Sequence, residues 1–203
     1  LIEKVGVGGT VLVQSLPSIE DTRFMLGLAE NHDFILGVVG WVDLKAADAP
    51  QVIAELARAP KLKGLRPMLQ DIAETGWIDD PALDPAVEAM LAAGLAFDAL
   101  VLPRHLAALE AFARRHPALA IVIDHGAKPE IAEGHYRDWR EAMARLAGLG
   151  NVSCKLSGLL TEKGEQQPQA IRPYGETILE LFGPERVIWG SDWPVLDLAG
   201  DYE

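Results

Sequence analysis

Seven short apolar runs alternate with six longer stretches of helical character along this chain. No other feature constrains its fold as strongly. The β-rich runs cover residues 9–14, 34–43, 64–69, 96–102, 119–125, 152–158 and 186–192. The helical patterns between them cover 18–31, 50–59, 84–93, 104–115, 136–149 and 171–182. The first helix has a capping-box-like start, with Asp21 three residues after Ser18. Strands that are apolar almost throughout, each separated from the next by a helix, predict a parallel sheet covered on both faces. A (β/α)8 barrel has eight strands and runs to about 250 residues. Seven strands in 203 residues therefore predict an α/β chain, a (β/α)8 TIM barrel lacking its first strand and last helix. It is expected to form one domain over residues 1–203, with two exposed strand edges. The chain opens on Leu1 rather than Met, and further sequence is expected upstream. An open doubly wound sheet is the alternative. No GxGxxG motif follows a strand, which argues against a dinucleotide site.

Charge narrows the partners. Thirty acidic residues against 18 basic ones give a net charge of −12, which disfavours nucleic acid and anionic membranes. A small anionic substrate stays compatible, because one local cation outweighs a distant field. No apolar run approaches the roughly 18 residues of a membrane span. The single cysteine, Cys154, excludes an internal disulfide and fits a cytoplasmic protein. Oligomeric state is open, a homo-oligomer included.

The chemistry is sought where polar groups replace apolar ones at strand ends, since active sites of this architecture lie at the C-terminal ends of the strands. The run Val187-Ile188-Trp189 leads to Gly190-Ser191-Asp192-Trp193-Pro194, so a buried strand is expected to stop at the Asp192 carboxylate. A buried carboxylate is costly without a partner or a task, and Asp192 is the leading catalytic candidate. Ile121-Val122-Ile123 leads to Asp124-His125. Alternation would put His125 on the face of Ile121 and Ile123, where an imidazole could bind metal or polarise a carbonyl. A core histidine bonded to backbone is the competing reading, and Asp124 is expected to brace a loop. Lys155 sits inside a strand and must meet an anion, either substrate, Asp192 or a structural partner. Arg66 and Gln70 share a face. Arg66 could grip a carboxylate or pair structurally with Asp43 or Asp98. Asp98, in mid-strand, is expected near Arg66 or Lys155. Trp41 could floor a pocket, although packing is the commoner use of an aromatic. His32, His105, His116 and His135 lie on helices or their ends and are not expected to be catalytic. A GxSxG elbow, a P-loop and CxxC are all absent.

Three of these motifs, Val122-Ile123-Asp124-His125-Gly126-Ala127-Lys128-Pro129, Cys154-Lys155-Leu156-Ser157-Gly158-Leu159 and Trp189-Gly190-Ser191-Asp192-Trp193-Pro194, resemble the amidohydrolase-related lactonases. These are metal-dependent TIM-barrel hydrolases that include sugar lactonases and pyrone-dicarboxylate lactonase. The segments 13–18 and 37–43 match as well. The resemblance implies a hydrolase that opens a small-molecule sugar-acid or dicarboxylate lactone. It implies Asp192 as the general base for water and His125 as the contact to metal or to the carbonyl oxygen. It places Arg66, Gln70, Lys155, Trp41 and Trp193 on the substrate side. The family's His-x-His motif has no counterpart here, because no two of the five histidines lie two residues apart. The implied divalent metal, such as zinc, would then rest on His125 and Asp192 alone, short of zinc's usual three or four protein ligands. The competing functions are a metal-dependent decarboxylase of the same superfamily and a truncated, non-catalytic barrel.

Overall fold

A computed structural model describes residues 6–200. The chain divides into two compact units, one built from the residues up to Met68 together with Asp80–Asp98, the other from Leu69–Asp79 and the residues from Ala99 onward.

The first unit contains β1 (Thr10–Val13), α1 (Ile19–Asn31), β2 (Ile35–Gly40), α2 (Ala49–Leu56), β3 (Leu62–Leu65) and α3 (Asp84–Ala93), and leads into β4 (Ala96–Ala99). Successive strands pair in parallel, with Leu12 opposite Val38, Val39 opposite Gly64 and Leu65 opposite Phe97. Ser18 caps α1 as its sequence predicts, its Oγ accepting from the Asp21 N–H at 3.1 Å. Gly94 closes α3 in the left-handed region, φ 66°. Gly64 allows β3 to lie close to β4, since a Cβ there would stand 2.7 Å from the Ala96 carbonyl oxygen. Val38, Ile53, Leu65, Leu83, Val87, Met90 and Phe97 are buried from water. Each such side chain contributes roughly 1.5–3 kcal/mol of transfer free energy.

The second unit repeats the pattern with α4 (Leu106–Arg115), β5 (Ile121–Ile123), α5 (Arg137–Ala147), β6 (Val152–Leu156), α6 (Arg172–Phe182) and β7 (Val187–Trp189). Val122 lies opposite Ser153 and Lys155 opposite Ile188, again in parallel. The helices bury Leu109 and Phe112 from α4, Met143 and Leu146 from α5, and Ile178 and Phe182 from α6. The Arg186 guanidinium donates to the carbonyls of Ala147, Leu149 and Val152. Those bonds fix the entry to β7 against the end of α5 and the start of β6.

All seven predicted runs form strands, and all six helical patterns form helices. The strands nevertheless stop earlier than the apolar runs suggest. Strand β5 ends at Ile123, and Asp124–Ala127 is a tight 3-10 turn. Alternation along a strand therefore does not decide where His125 points. Strand β7 ends at Trp189, so Asp192 lies three residues beyond the strand rather than at its last position. The segments 71–81 and 161–169, read as loops, carry short 3-10 turns such as Trp77–Asp79 and Thr161–Lys163. No helix among the described residues is long and apolar enough to cross a membrane.

Candidate active site

Three strand ends of the second unit bring their polar groups together. Just past β5, His125 sits on the turn that begins with Asp124. Ser157 follows β6 directly. Past β7 comes Gly190-Ser191-Asp192. The His125 Nε2 lies 3.6 Å from Asp192 Oδ1, and both side chains are largely enclosed, 16% and 11% exposed. On the other side of the ring, Nδ1 lies 2.9 Å from Ser157 Oγ. Ser157 is itself 8% exposed. The two leading candidates of the sequence are therefore neighbours, and a serine that sequence reasoning assigned no role holds the far side of the imidazole.

The backbone that presents them is strained. His125, Ala127 and Lys128 have φ of 51°, 63° and 48°, and Gly126 between them has 58°. Four successive left-handed residues, three of them with a Cβ, cost about 1–2 kcal/mol each for the non-glycines. Local contacts hold the turn. The Lys128 N–H donates to the His125 carbonyl at 2.9 Å. The buried Trp139 indole donates to the Gly126 carbonyl at 2.8 Å. Ala127 is fully buried. Asp192 has φ 54°, a conformation that aspartate tolerates better than most residues. Its carbonyl accepts from the Leu196 N–H at 2.9 Å. Strain concentrated on two adjacent polar residues is characteristic of functional sites.

Glycines make the room. Gly158 has φ 64°, and a Cβ there would stand 2.7 Å from both Cγ and Nδ1 of His125. A Cβ on Gly190 would stand 3.0 Å from the Ser157 Cβ. Beneath this layer the Lys155 ammonium meets the Asp124 carboxylate at 2.6 Å, with Asp124 fully buried and Lys155 15% exposed. The sequence offered Lys155 a substrate anion, Asp192 or a structural partner; the partner it meets here is Asp124, which forms a buried ion pair where a loop brace was expected. Cys154 is completely buried beside them, and burial pushes its thiol well above the ordinary range, so it is an inert packing residue.

Other predicted residues are placed separately. Gln70 Oε1 lies 3.3 Å from the Lys128 ammonium, which also pairs with Glu162 at 3.3 Å. Neither Lys128 nor Glu162 had been singled out from the sequence, because a charged residue in a loop carries no signal of its own. Trp193 is 68% exposed. In the first unit, Arg66 donates from Nη2 to the Gln14 carbonyl, and the Gln14 amide returns a bond to the Arg66 carbonyl at 2.9 Å. Trp41 is bound through its backbone to the Thr22 hydroxyl, at 2.8 Å through its N–H and 3.0 Å through its carbonyl. Asp98 is buried, 3% exposed. Of the remaining histidines, His105 is buried with Nδ1 accepting from the Leu102 N–H at 3.0 Å, and exposed His135 pairs with Glu130.

A metal was tested against these donors. Zinc requires three or four protein ligands. Among the described residues no group of three or more His, Cys, Asp or Glu side chains is placed to hold an ion. His125 and Asp192 alone do not fit a zinc centre.

Comparison with known proteins places this geometry. The profile of the amidohydrolase family matches residues 1–203. An L-fucono-1,5-lactonase of Burkholderia ambifaria is 59% identical over 204 residues, covering 100% of this chain and 70% of that protein. An L-fucono-1,5-lactonase of Burkholderia multivorans is 37% identical over 215 residues, covering 100% and 72%. A crystal structure of an amidohydrolase from Burkholderia multivorans with bound zinc superposes with a TM-score of 0.92 at 37% identity, over 99% of this chain and 74% of that one.

Proposed function

This chain belongs to the amidohydrolase family, and on that footing we propose that it is a lactonase, hydrolysing the ring ester of a sugar-acid lactone. The observation that carries the reading is the pairing of Asp192 with His125 at 3.6 Å on adjoining strand ends. Identity of 59% to an L-fucono-1,5-lactonase supports a six-membered aldonolactone as substrate.

Lactone hydrolysis needs a deprotonated water and a donor for the oxyanion that develops on the carbonyl. In the proposed reaction the Asp192 carboxylate takes a proton from water as the water oxygen attacks the carbonyl carbon. His125 donates from Nε2–H to the carbonyl oxygen, which carries the negative charge of the tetrahedral intermediate. Collapse of that intermediate breaks the ring C–O bond. Asp192 then returns its proton to the departing alkoxide, leaving the open hydroxy acid. A separation of 3.6 Å exceeds hydrogen-bond length, so neither group is consumed by the other and both can face one substrate. Lys155, held by Asp124, braces the base of the site. Gln70 with Lys128 offers a polar contact for ring hydroxyls, and exposed Trp193 a face for the sugar ring. Arg66 and Trp41 belong to the first unit and enter no step. No step passes through a metal.

The seven strand–helix units are read as part of a (β/α)8 barrel forming one domain; the TM-score of 0.92 and a family match over residues 1–203 support this. A pH-indicator assay over a panel of aldonolactones tests the function. Acid release from L-fucono-1,5-lactone or a close stereoisomer is expected. Absence of acid release across the panel would overturn the reading.

A further inference from the structure

We propose that Ser157 is a positioning residue that keeps His125 in its Nε2–H tautomer by donating its hydroxyl proton to Nδ1. The proposal rests on the reading of His125 as the hydrogen-bond donor to the lactone carbonyl.

The argument begins with the two neighbours of the imidazole. A carboxylate only accepts hydrogen bonds, whereas a serine hydroxyl both donates and accepts. Asp192 Oδ1 faces Nε2 at 3.6 Å. A lone pair on Nε2 would point at an anion, whereas a proton there meets it favourably. In a neutral ring the proton then sits on Nε2, and Nδ1 must accept. The group within reach of Nδ1 is Ser157 Oγ at 2.9 Å, and its hydroxyl rotates to donate. The opposite arrangement, Nδ1–H donating to Ser157, would turn the Nε2 lone pair outward, as a metal ligand requires. The described residues supply no set of donors that would use it.

The surroundings of Ser157 fit this task. It follows the last residue of β6, Leu156, so the strand aims its side chain. Gly190, opposite, leaves room for Cβ and Oγ, which lie 3.0 and 3.2 Å from where a Cβ on residue 190 would be. Gly158 lets the imidazole pack directly on the chain. At 8% exposure the hydroxyl is shielded, so bulk water would not replace it. Gly190, Ser157, His125 and Asp192 thus form one packed series. Strand β7 supplies both of its ends.

The test uses the whole protein labelled with 15N in histidine, without substrate. Long-range 1H–15N spectra show which ring nitrogen carries the proton, and loss of signals in His125→Gln assigns them. In the wild type, His125 is expected with its proton on Nε2 and a hydrogen-bonded Nδ1. In Ser157→Ala, Nδ1 moves to the position of an unbonded ring nitrogen, and kcat falls about tenfold with KM little changed. Ser157→Thr, which keeps the hydroxyl, restores the Nδ1 signal. A proton on Nδ1 in the wild type, or an Nδ1 signal indifferent to Ser157→Ala, would overturn the proposal. The two readings separate cleanly. Nε2–H without any lactone hydrolysis removes the function and leaves the positioning role, whereas hydrolysis with Nδ1–H does the reverse.

Discussion

Asp192 and His125 face each other at 3.6 Å, and both hold left-handed backbone conformations, φ 54° and 51°. They belong to different strand ends, and each strand stops before its functional residue is reached. The break from extended geometry is what turns the two side chains towards one another. This pairing is the basis of the expectations that follow.

Replacing His125 with alanine removes the proposed donor to the oxyanion. Loss of one such donor typically lowers kcat by about 10²–10³-fold. The substitution also relieves a strained, partly buried imidazole, so thermal stability should change little. Steady-state kinetics on an aldonolactone, with a melting curve as control, check both.

Gly158→Ala should be damaging although residue 158 performs no chemistry. Its φ of 64° costs a non-glycine residue about 1–2 kcal/mol. Its Cβ would lie 2.7 Å from the His125 ring, which must shift. A fall in kcat of about 10²-fold is expected, since an ångström of misplacement can cost that much, with a modest loss of stability measured by urea unfolding. Unchanged kcat would show that the ring does not need its observed position.

Lys155→Met should destabilise the fold. It strands the Asp124 carboxylate, which is fully buried against the ammonium at 2.6 Å. Breaking one side of a buried pair costs roughly 3–5 kcal/mol. Adding Asp124→Asn should recover part of that loss, because the orphaned charge is gone. Urea midpoints of the single and double variants measure the coupling.

Much of this was legible beforehand, and the physics explains which part. The strand–helix alternation is a property of apolar runs and caps such as Ser18, so the elements could be placed to within a few residues. Asp192 and His125 stood out because charge at the end of an apolar run needs a reason. The detail failed where backbone departs from regular geometry. Alternation assumed that the strand reaches His125, but left-handed φ from His125 to Lys128 breaks it. Ser157 and Gly158 carried no signal on their own, since a serine and a glycine after a strand read as a turn. Lys155 was expected at an anion, and the Asp124 partner emerges only from the packing of β6 beside the turn after β5.

His105 gives a pH dependence of stability. Burial, and then the charge of Arg104, holds its pKa below the ordinary 6.5. With the folded value below the unfolded one, the unfolded chain binds the proton first as pH falls. The stabilisation is complete above about pH 6.5 and is lost as pH drops from there through the lowered folded value. The urea midpoint should decline on going from about pH 7.5 to about pH 5.5, and less steeply in His105→Asn, whose amide oxygen can still accept from the Leu102 N–H. An equal decline in both proteins would remove His105 from the account.

The central claim is that Asp192 activates water, and Asp192→Asn tests it most directly. Asparagine keeps the shape and tolerates the left-handed conformation, so the melting temperature should stay within a few degrees of the wild type. Turnover of an aldonolactone that the wild type hydrolyses should fall by about 10³-fold or more, the scale of a lost general base. A folded Asp192→Asn protein that opens the lactone at the wild-type rate would contradict the account.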